Sequence, residues 1–434
     1  SSIRALNKGQ EIHVEIERKG GKLGKDLLVS NALIDMYVKC GSILLACEVF
    51  DKLPVRDVFS WTAVISGYVE NGQGKEALEN YEHMLEDNVC ADGVTFIWVL
   101  KACGKVPDAE KGHYIHADIE RRGFLESDVM IGNALVDMYA KCGLHYVVQH
   151  VFDQLPIRNV VSWNVLMEGY TESGNGSEAL MCLEEMEAEG ISPDNVTYIC
   201  CLKACGSMKD LEKGENLHYE IEKKGFLHKD LVLGNTLIDM YVKCGSLSKA
   251  REVFDKLLIR NVVSWNALIE GYVENGHSEK ALDCFERMSF DGINPDEITL
   301  SCCLKACGNV KAIDRGTEIH AEVEKNGLLR KDLVVGSGLI DMYAKCGFLV
   351  KAREVFEKLP NRDAVSWNVM ITAYVEHGDG KKALQLYTQM QEEGVSPNHQ
   401  TFVAELQACG SLVDEAEDII SKSLIVMLNE ISHS

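Results

Sequence analysis

Leu268, Ile269, Tyr272 and Val273 form one apolar stripe, and Ala281, Leu282, Phe285 and Met288 form another a few residues later. Spacings of one and four residues put each set on one face of an amphipathic helix. Gly276 separates the two stripes, and Gly292 with Pro295 ends the second, as these residues end helices. The segment is predicted to be an antiparallel helical hairpin. Gly41, Gly143, Gly245 and Gly347 divide shorter hairpins in the same way, and Pro54, Pro156 and Pro360 close them. Ile, Val and Tyr are plentiful, yet no turn-bounded alternating run suggests a strand.

The pattern is periodic. Trp61, Trp163, Trp265 and Trp367 follow one another at intervals of 102 residues, and so do Cys40, Cys142, Cys244 and Cys346. Each period divides into three hairpins of 31, 35 and 36 residues, for example 129–159, 160–194 and 195–230. A fixed period means stacked supersecondary units. The predicted fold is all-α: an α-solenoid of antiparallel helical hairpins stacked into a right-handed superhelix.

Composition changes this picture little. The 434 residues are 46% hydrophobic, enough for a large core, and the repeat overrides a division into separate domains. No run of 18 apolar residues exists, so no membrane span is expected. The start, Ser1-Ser2-Ile3, shows neither a signal nor a transit peptide and reads as a fragment or mature chain beginning partway through a repeat. Most of the sixteen cysteines recur at matching positions, including Cys103, Cys205, Cys307 and Cys409. They read as small buried residues and reduced thiols of an intracellular or organellar compartment. The net charge of −23 runs against phosphate-driven nucleic-acid binding.

Several phrases carry a specific resemblance: Asn31-Ala-Leu-Ile-Asp-Met-Tyr-Val-Lys-Cys-Gly, Glu252-Val-Phe-Asp-Lys-Leu, Val263-Ser-Trp-Asn-Ala-Leu-Ile, Gly190-Ile-Ser-Pro-Asp, and Gly316 with Ile319-His320. The units resemble pentatricopeptide repeats (PPR) of the plant PLS class, over nearly the whole chain. The 31-residue units are similar to S motifs, the 35-residue units to P motifs and the 36-residue units to L motifs. On this reading residues 1–26 are a partial L motif. S motifs span 27–57, 129–159, 231–261 and 333–363; P motifs 58–92, 160–194, 262–296 and 364–398; and L motifs 93–128, 195–230 and 297–332. Residues 399–434 form an L-like terminal unit. An E/DYW deaminase extension is expected to be lacking.

The resemblance implies reading of single-stranded RNA at one base per repeat. The fifth residue of each unit, on its first helix, and the last residue would contact the base edge. Apolar residues at the second position, such as Val161 and Val263, would sandwich it. Asn offers an acceptor and two donors, and ionised Asp only accepts. By the family's code Asn31 with Asp57 implies U, Thr62 with Asp92 G, Asn133 with Asn159 C, and Asn164 with Asp194 U. Asn235 with Asn261 implies C, Asn266 with Asp296 U, Ser337 with Asp363 G, and Asn368 with Asn398 C. The L motifs carry Ile97, Ile199, Ser301 and Val403 at the fifth position, and most are left unassigned. The expected target is 5′-UGNCUNCUNGC-3′. The family further implies a chloroplast or mitochondrial role, often in C-to-U editing. Expected partners are multiple-organellar-RNA-editing-factor (MORF) proteins, engaged through L motifs, and a separate deaminase.

Two alternatives stand beside this reading. Asn at a helix start, and Asp or Asn before a turn, are commonly helix caps; capping leaves Asp and Asn interchangeable, whereas base readout does not. A helical solenoid also serves as a protein-interaction scaffold without RNA, which the acidic charge favours. The tryptophans are expected in the core rather than as stacking platforms. His13, His116, His218 and His320 recur once per period and read as structural. His320-Ala-Glu322 and His13-Val-Glu15 match half of a zinc-deaminase signature, but no Cys-x-x-Cys accompanies them, and Cys302, Cys303 and Cys307 give no zinc framework. No catalytic residue, metal site or cofactor is assigned. A strongly apolar last helix (Ile419, Ile420, Leu424, Ile425, Val426, Leu428) is expected to cover the solenoid end or drive self-association.

Overall fold

The computed structural model describes residues 2–18, 26–227 and 230–410, and among these the regular structure is helical, with no strand. Two compact units divide the chain, residues 1–217 and 218–434. The first begins with α1 (Ser2–Arg18), followed by α2 (Leu27–Lys39), α3 (Ile43–Asp51), α4 (Val58–Glu70), α5 (Gly74–Glu86), α6 (Gly93–Lys105) and α7 (Ala109–Arg121). A single turn, α8 (Phe124–Ser127), leads to α9 (Val129–Lys141), α10 (His145–Gln154), α11 (Val160–Glu172), α12 (Gly176–Ala188) and α13 (Asn195–Met208). Helix α14 (Leu211–Lys224) runs across the division. The second unit continues with α15 (Leu231–Lys243), α16 (Leu247–Lys256), α17 (Val262–Glu274), α18 (Ser278–Phe290), α19 (Glu297–Val310) and α20 (Ile313–Lys325). Then come α21 (Leu333–Lys345), α22 (Leu349–Lys358), α23 (Ala364–Glu376) and α24 (Gly380–Glu392). The apolar segment around Ile419–Leu428 lies outside the described residues.

Helix starts are set by short polar side chains. Asp57, Asp92, Asn159, Asp194, Asn261 and Asp296 each accept a hydrogen bond from the backbone N–H three residues on, and the Ser or Thr hydroxyl there accepts one from the cap's own N–H. This reciprocal capping box satisfies two donors that a helix N-terminus otherwise leaves bare. Each short hairpin turns on a glycine, such as Gly245 at φ +74°, a left-handed conformation that a Cβ disfavours.

Within each unit the helices follow a single plan. A first helix packs on its own second helix, as in α4 on α5 or α17 on α18, and on the next first helix in the chain. Thus α2, α4, α6, α9, α11 and α13 adjoin in order in one unit, and α15, α17, α19, α21 and α23 in the other. This is the packing of an α-solenoid.

The period is visible in the core. Phe50, Phe152, Phe254 and Phe356 meet Trp61, Trp163, Trp265 and Trp367 edge to face, with centroids 4.6–4.7 Å apart. An arginine covers each phenylalanine: Arg56, Arg158, Arg260 and Arg362, at 4.7–5.0 Å. Aromatic pairing and cation–π contact each add to the burial of these rings. The four tryptophans are at most 2% exposed, in the core as expected. The recurrent histidines have a structural partner. Nδ1 of His13, His116, His218 and His320 lies 2.8–3.0 Å from the hydroxyl of Tyr37, Tyr139, Tyr241 and Tyr343. No disulfide joins any of the sixteen cysteines, all of which fall among the described residues. Burial pushes the Cys103 and Cys307 thiols up to about 12, which keeps them protonated and unreactive. No helix among the described residues is long and apolar enough to cross a membrane.

Candidate nucleic-acid interface

From α2 to α23, the second residue of each first helix in a hairpin is apolar and exposed. These are Leu28, Phe59, Val94, Met130, Val161 and Val196 in one unit, and Val232, Val263, Ile298, Val334 and Val365 in the other, at 49–80% exposure. Eleven apolar side chains at one register, all in water, are not explained by packing within the chain. Val161 and Val263 were the two that sequence reasoning named.

Three residues further along lies the fifth residue of each unit. It sits inside the first helix and is not a cap, in contrast to the capping alternative for this position. Asn164, Asn266 and Asn368 are 5–7% exposed and belong to closed polar triads. Asn164 donates through Nδ2 to Asp194 Oδ1 at 3.0 Å, and its Oδ1 accepts from the Thr197 hydroxyl at 2.7 Å. Asn266 does the same with Asp296 at 2.9 Å and Thr299 at 2.5 Å. Asn368 does so with Asn398 at 3.0 Å and Thr401 at 2.6 Å. Asn31 reaches Asp57 at 3.2 Å, and Thr62 meets the Thr95 hydroxyl at 2.7 Å.

The last residue of the unit therefore has two structural duties. Asp57, Asp92, Asp194, Asp296 and Asp363 cap the next helix through Oδ1. Asn159, Asn261 and Asn398 cap through their amide oxygen. The capping alternative is correct for this position, and capping does not use the whole side chain. At Asp296 burial works to raise the carboxyl's pKa, but hydrogen bonds from the Thr299 N–H, Asn266 and the Thr299 hydroxyl outweigh it, and the net shift is downward. The carboxylate stays ionised, an acceptor only. Four expected readers form fewer internal bonds: the buried Oδ1 of Asn31, of Asn133 and of Asn235 and the Ser337 hydroxyl meet no partner in the protein. A buried polar atom without a partner is costly.

Thr197, Thr299 and Thr401 were missed as site residues. Their signal was the Ser or Thr recurring at the third position, read only through its neighbours. The L-motif fifth residues Ile97, Ile199 and Ser301 are half-buried and Val403 is exposed.

Charge is distributed unevenly. The eleven first helices carry eight lysines and eleven carboxylates, whereas their eleven second helices carry eighteen basic and thirty acidic residues. Lys39, Lys141, Lys243 and Lys345 each pair with the aspartate one turn earlier, at 2.7–2.8 Å. Most of the acidic surplus on the paired helices is thus kept off the helices that carry the polar triads.

The chain belongs to the pentatricopeptide repeat family. It matches the PPR repeat family at residues 56–105, 158–207, 260–309 and 362–411, and the PPR repeat at 29–58, 196–226, 235–262 and 337–363. It is similar to two chloroplastic pentatricopeptide repeat-containing proteins of Arabidopsis thaliana. One is 37% identical over 404 residues, 93% of this chain and 49% of that protein; the other is 36% identical over 409 residues, 94% and 65%. The chain thus spans about half to two thirds of the length of such relatives. Its fold resembles the pentatricopeptide repeat protein PPR10 in a crystal structure with an 18-nt psaJ RNA element (TM-score 0.70, 18% identity, 88% of this chain and 58% of that one).

Proposed function

We propose that this chain binds single-stranded RNA at one base per repeat, with the target 5′-UGNCUNCUNGC-3′. The observation that carries this reading is the recurrence of an exposed apolar second residue beside a hydrogen-bonded fifth and last pair. It supplies a stacking surface and a polar edge at each step. The triads give the code a physical basis. With Oδ1 of Asn164 occupied by Thr197, the side chain keeps an N–H for a pyrimidine carbonyl. The partner then decides: a carboxylate accepts the N3–H of uracil, as at Asp194 and Asp296, whereas an amide N–H donates to N3 of cytosine, as at Asn159, Asn261 and Asn398. The small Thr62 and Ser337 leave room for a purine.

The finer reading is an array of PLS class acting in a plant chloroplast or mitochondrion as a specificity factor for C-to-U editing. The deaminase is supplied by a domain outside this chain or by a separate protein, and MORF proteins engage the L motifs. The similar Arabidopsis proteins of chloroplasts and the aliphatic fifth residues of most L motifs support this. The skewed charge favours RNA over a protein scaffold, because the surplus acid sits on the second helices.

The test is an equilibrium titration with labelled 11-mers at two salt concentrations. One RNA carries UGACUACUAGC, and the others exchange C and U at the positions of Asn133, Asn164, Asn235 and Asn266. Each exchange is expected to cost about 1–3 kcal/mol, with a shallow salt slope because few phosphates are neutralised. Equal, weak binding of all the RNAs, with or without a MORF protein, overturns the reading in favour of the scaffold.

A further inference from the structure

The face of first helices is aromatic at one place. Of the five tryptophans, four are the buried periodic set. The fifth, Trp98 on α6, is half-buried and falls outside the period: the positions 102 residues apart from it hold Cys200, Cys302 and Ala404. The exposed second residue of α4 is likewise Phe59, where the matching helices carry Val161, Val263 and Val365. Both departures line one cavity of about 470 Å³, together with Asn31, Thr62, Asp92 and Val94. A small side chain suffices at the matching positions, and Cys200 is only 4% exposed, so the indole exceeds what packing requires. Val94, Trp98 and Lys101 follow at four and three residues, one stripe of the helix, and the Lys101 ammonium stands 4.5 Å from the indole centroid. Asp35 and Glu70 also line the cavity, the former neutralised by Lys39 at 2.8 Å.

We propose that Phe59 and Trp98 make this section a purine-stacking subsite. They hold the base opposite Thr62 and Asp92 by its π-face, with the Lys101 ammonium beside it for an adjoining phosphate. This rests on the RNA-binding reading and adds to it. At the other pairs hydrogen bonds to the base edge choose the base; here aromatic area does, and stacking tolerates changes at the edge.

The experiment uses 11-mer RNAs with guanine, unsubstituted purine, uracil or no base at the second position. Binding is followed by anisotropy of a labelled RNA and, separately, by the protein's tryptophan emission. Because the other four indoles are buried, quenching on stacking reports Trp98. Guanine and unsubstituted purine are expected to bind within about threefold of each other, and the abasic RNA about tenfold more weakly. Both purines are expected to quench emission. W98C, which installs the residue found one period later, is expected to abolish the quenching and equalise unsubstituted purine, uracil and abasic RNA. Its affinity for abasic RNA should match that of the unmodified protein, with an unchanged helical circular-dichroism spectrum. Tight binding of unmodified protein without quenching, or a purine preference surviving in W98C, overturns the subsite and leaves RNA binding standing. Absence of binding by anisotropy for the unmodified protein overturns both.

Discussion

Asn266 and Asp296, thirty residues apart, are joined by hydrogen bonds of 2.9 and 3.1 Å from one amide nitrogen to both carboxylate oxygens. The bond links the fifth residue of one hairpin to the cap of the next helix. The same two side chains therefore join successive hairpins and, in the proposed function, set the chemistry offered to a base.

That coupling separates two effects at Asp194. Asn caps as well as Asp, and Asn159 and Asn261 already occupy this role here with capping bonds of 3.0 Å. Asp194→Asn is expected to leave thermal stability nearly unchanged while moving the preference at that base from U to C. Asp194→Ala is expected to lose about 1 kcal/mol of stability and the preference together. Denaturant melts paired with RNA titrations check both, and an Asn variant that still selects U would refute the code at this position.

The third residue is the hidden member of the site. Thr299→Val keeps the shape but removes the hydroxyl that donates to Asn266 Oδ1 and accepts from the Asp296 N–H. Two buried groups lose a partner, which costs about 1–3 kcal/mol. Discrimination between U and C at that base should fall as well, because the Asn266 amide is no longer held in one orientation. Unchanged selectivity in Thr299→Val would mean that Asp296 alone positions the amide.

Much of this was legible in the sequence. Trp163 and Cys142 announce the period, Gly245 the turn, and the Asp or Asn before each first helix its start. What was not legible is that one side chain both caps a helix and bonds the fifth residue of the preceding hairpin. Asp194 caps through Oδ1, and only the fold brings Asn164, thirty residues earlier, onto that atom. Trp98 escaped notice because it breaks the period on which the reading relied. The charge of −23 is silent on this point: composition does not say on which helix of a hairpin a carboxylate lies.

Acid is expected to weaken the fold through the histidines. Burial lowers the pKa of His116, His218 and His320, each against the opposing pull of a glutamate one turn later. A folded value below the unfolded one, about 6.5, means that the unfolded chain binds protons first. The stabilisation is complete above that value and is lost as pH falls below it. Melting midpoints should drop between about pH 7 and 5, and the triple variant His116→Gln, His218→Gln, His320→Gln should flatten the drop. An equal slope in the triple variant would assign the acid sensitivity to other groups.

Glycine lets α17 lie close against α15. A Cβ at Gly271 would stand 2.5 and 2.7 Å from the two methyls of Val242, a side chain too stiff to turn away. Gly271→Ala gains roughly 1 kcal/mol of helix propensity, but overpacking costs about 1–3 kcal/mol, so a net loss of stability is expected. The chain carries its own control one period later, where Ala373 and Ala344 occupy the matching positions, both 3% exposed. Gly271→Ala with Val242→Ala reproduces that pair and should recover most of the loss, which a double-mutant cycle in denaturant measures. Parting α15 from α17 also lengthens the step between the readers Asn235 and Asn266. RNA affinity should therefore fall in the single variant and return in the double. If affinity falls equally in both, the spacing of first helices is not what registers the bases.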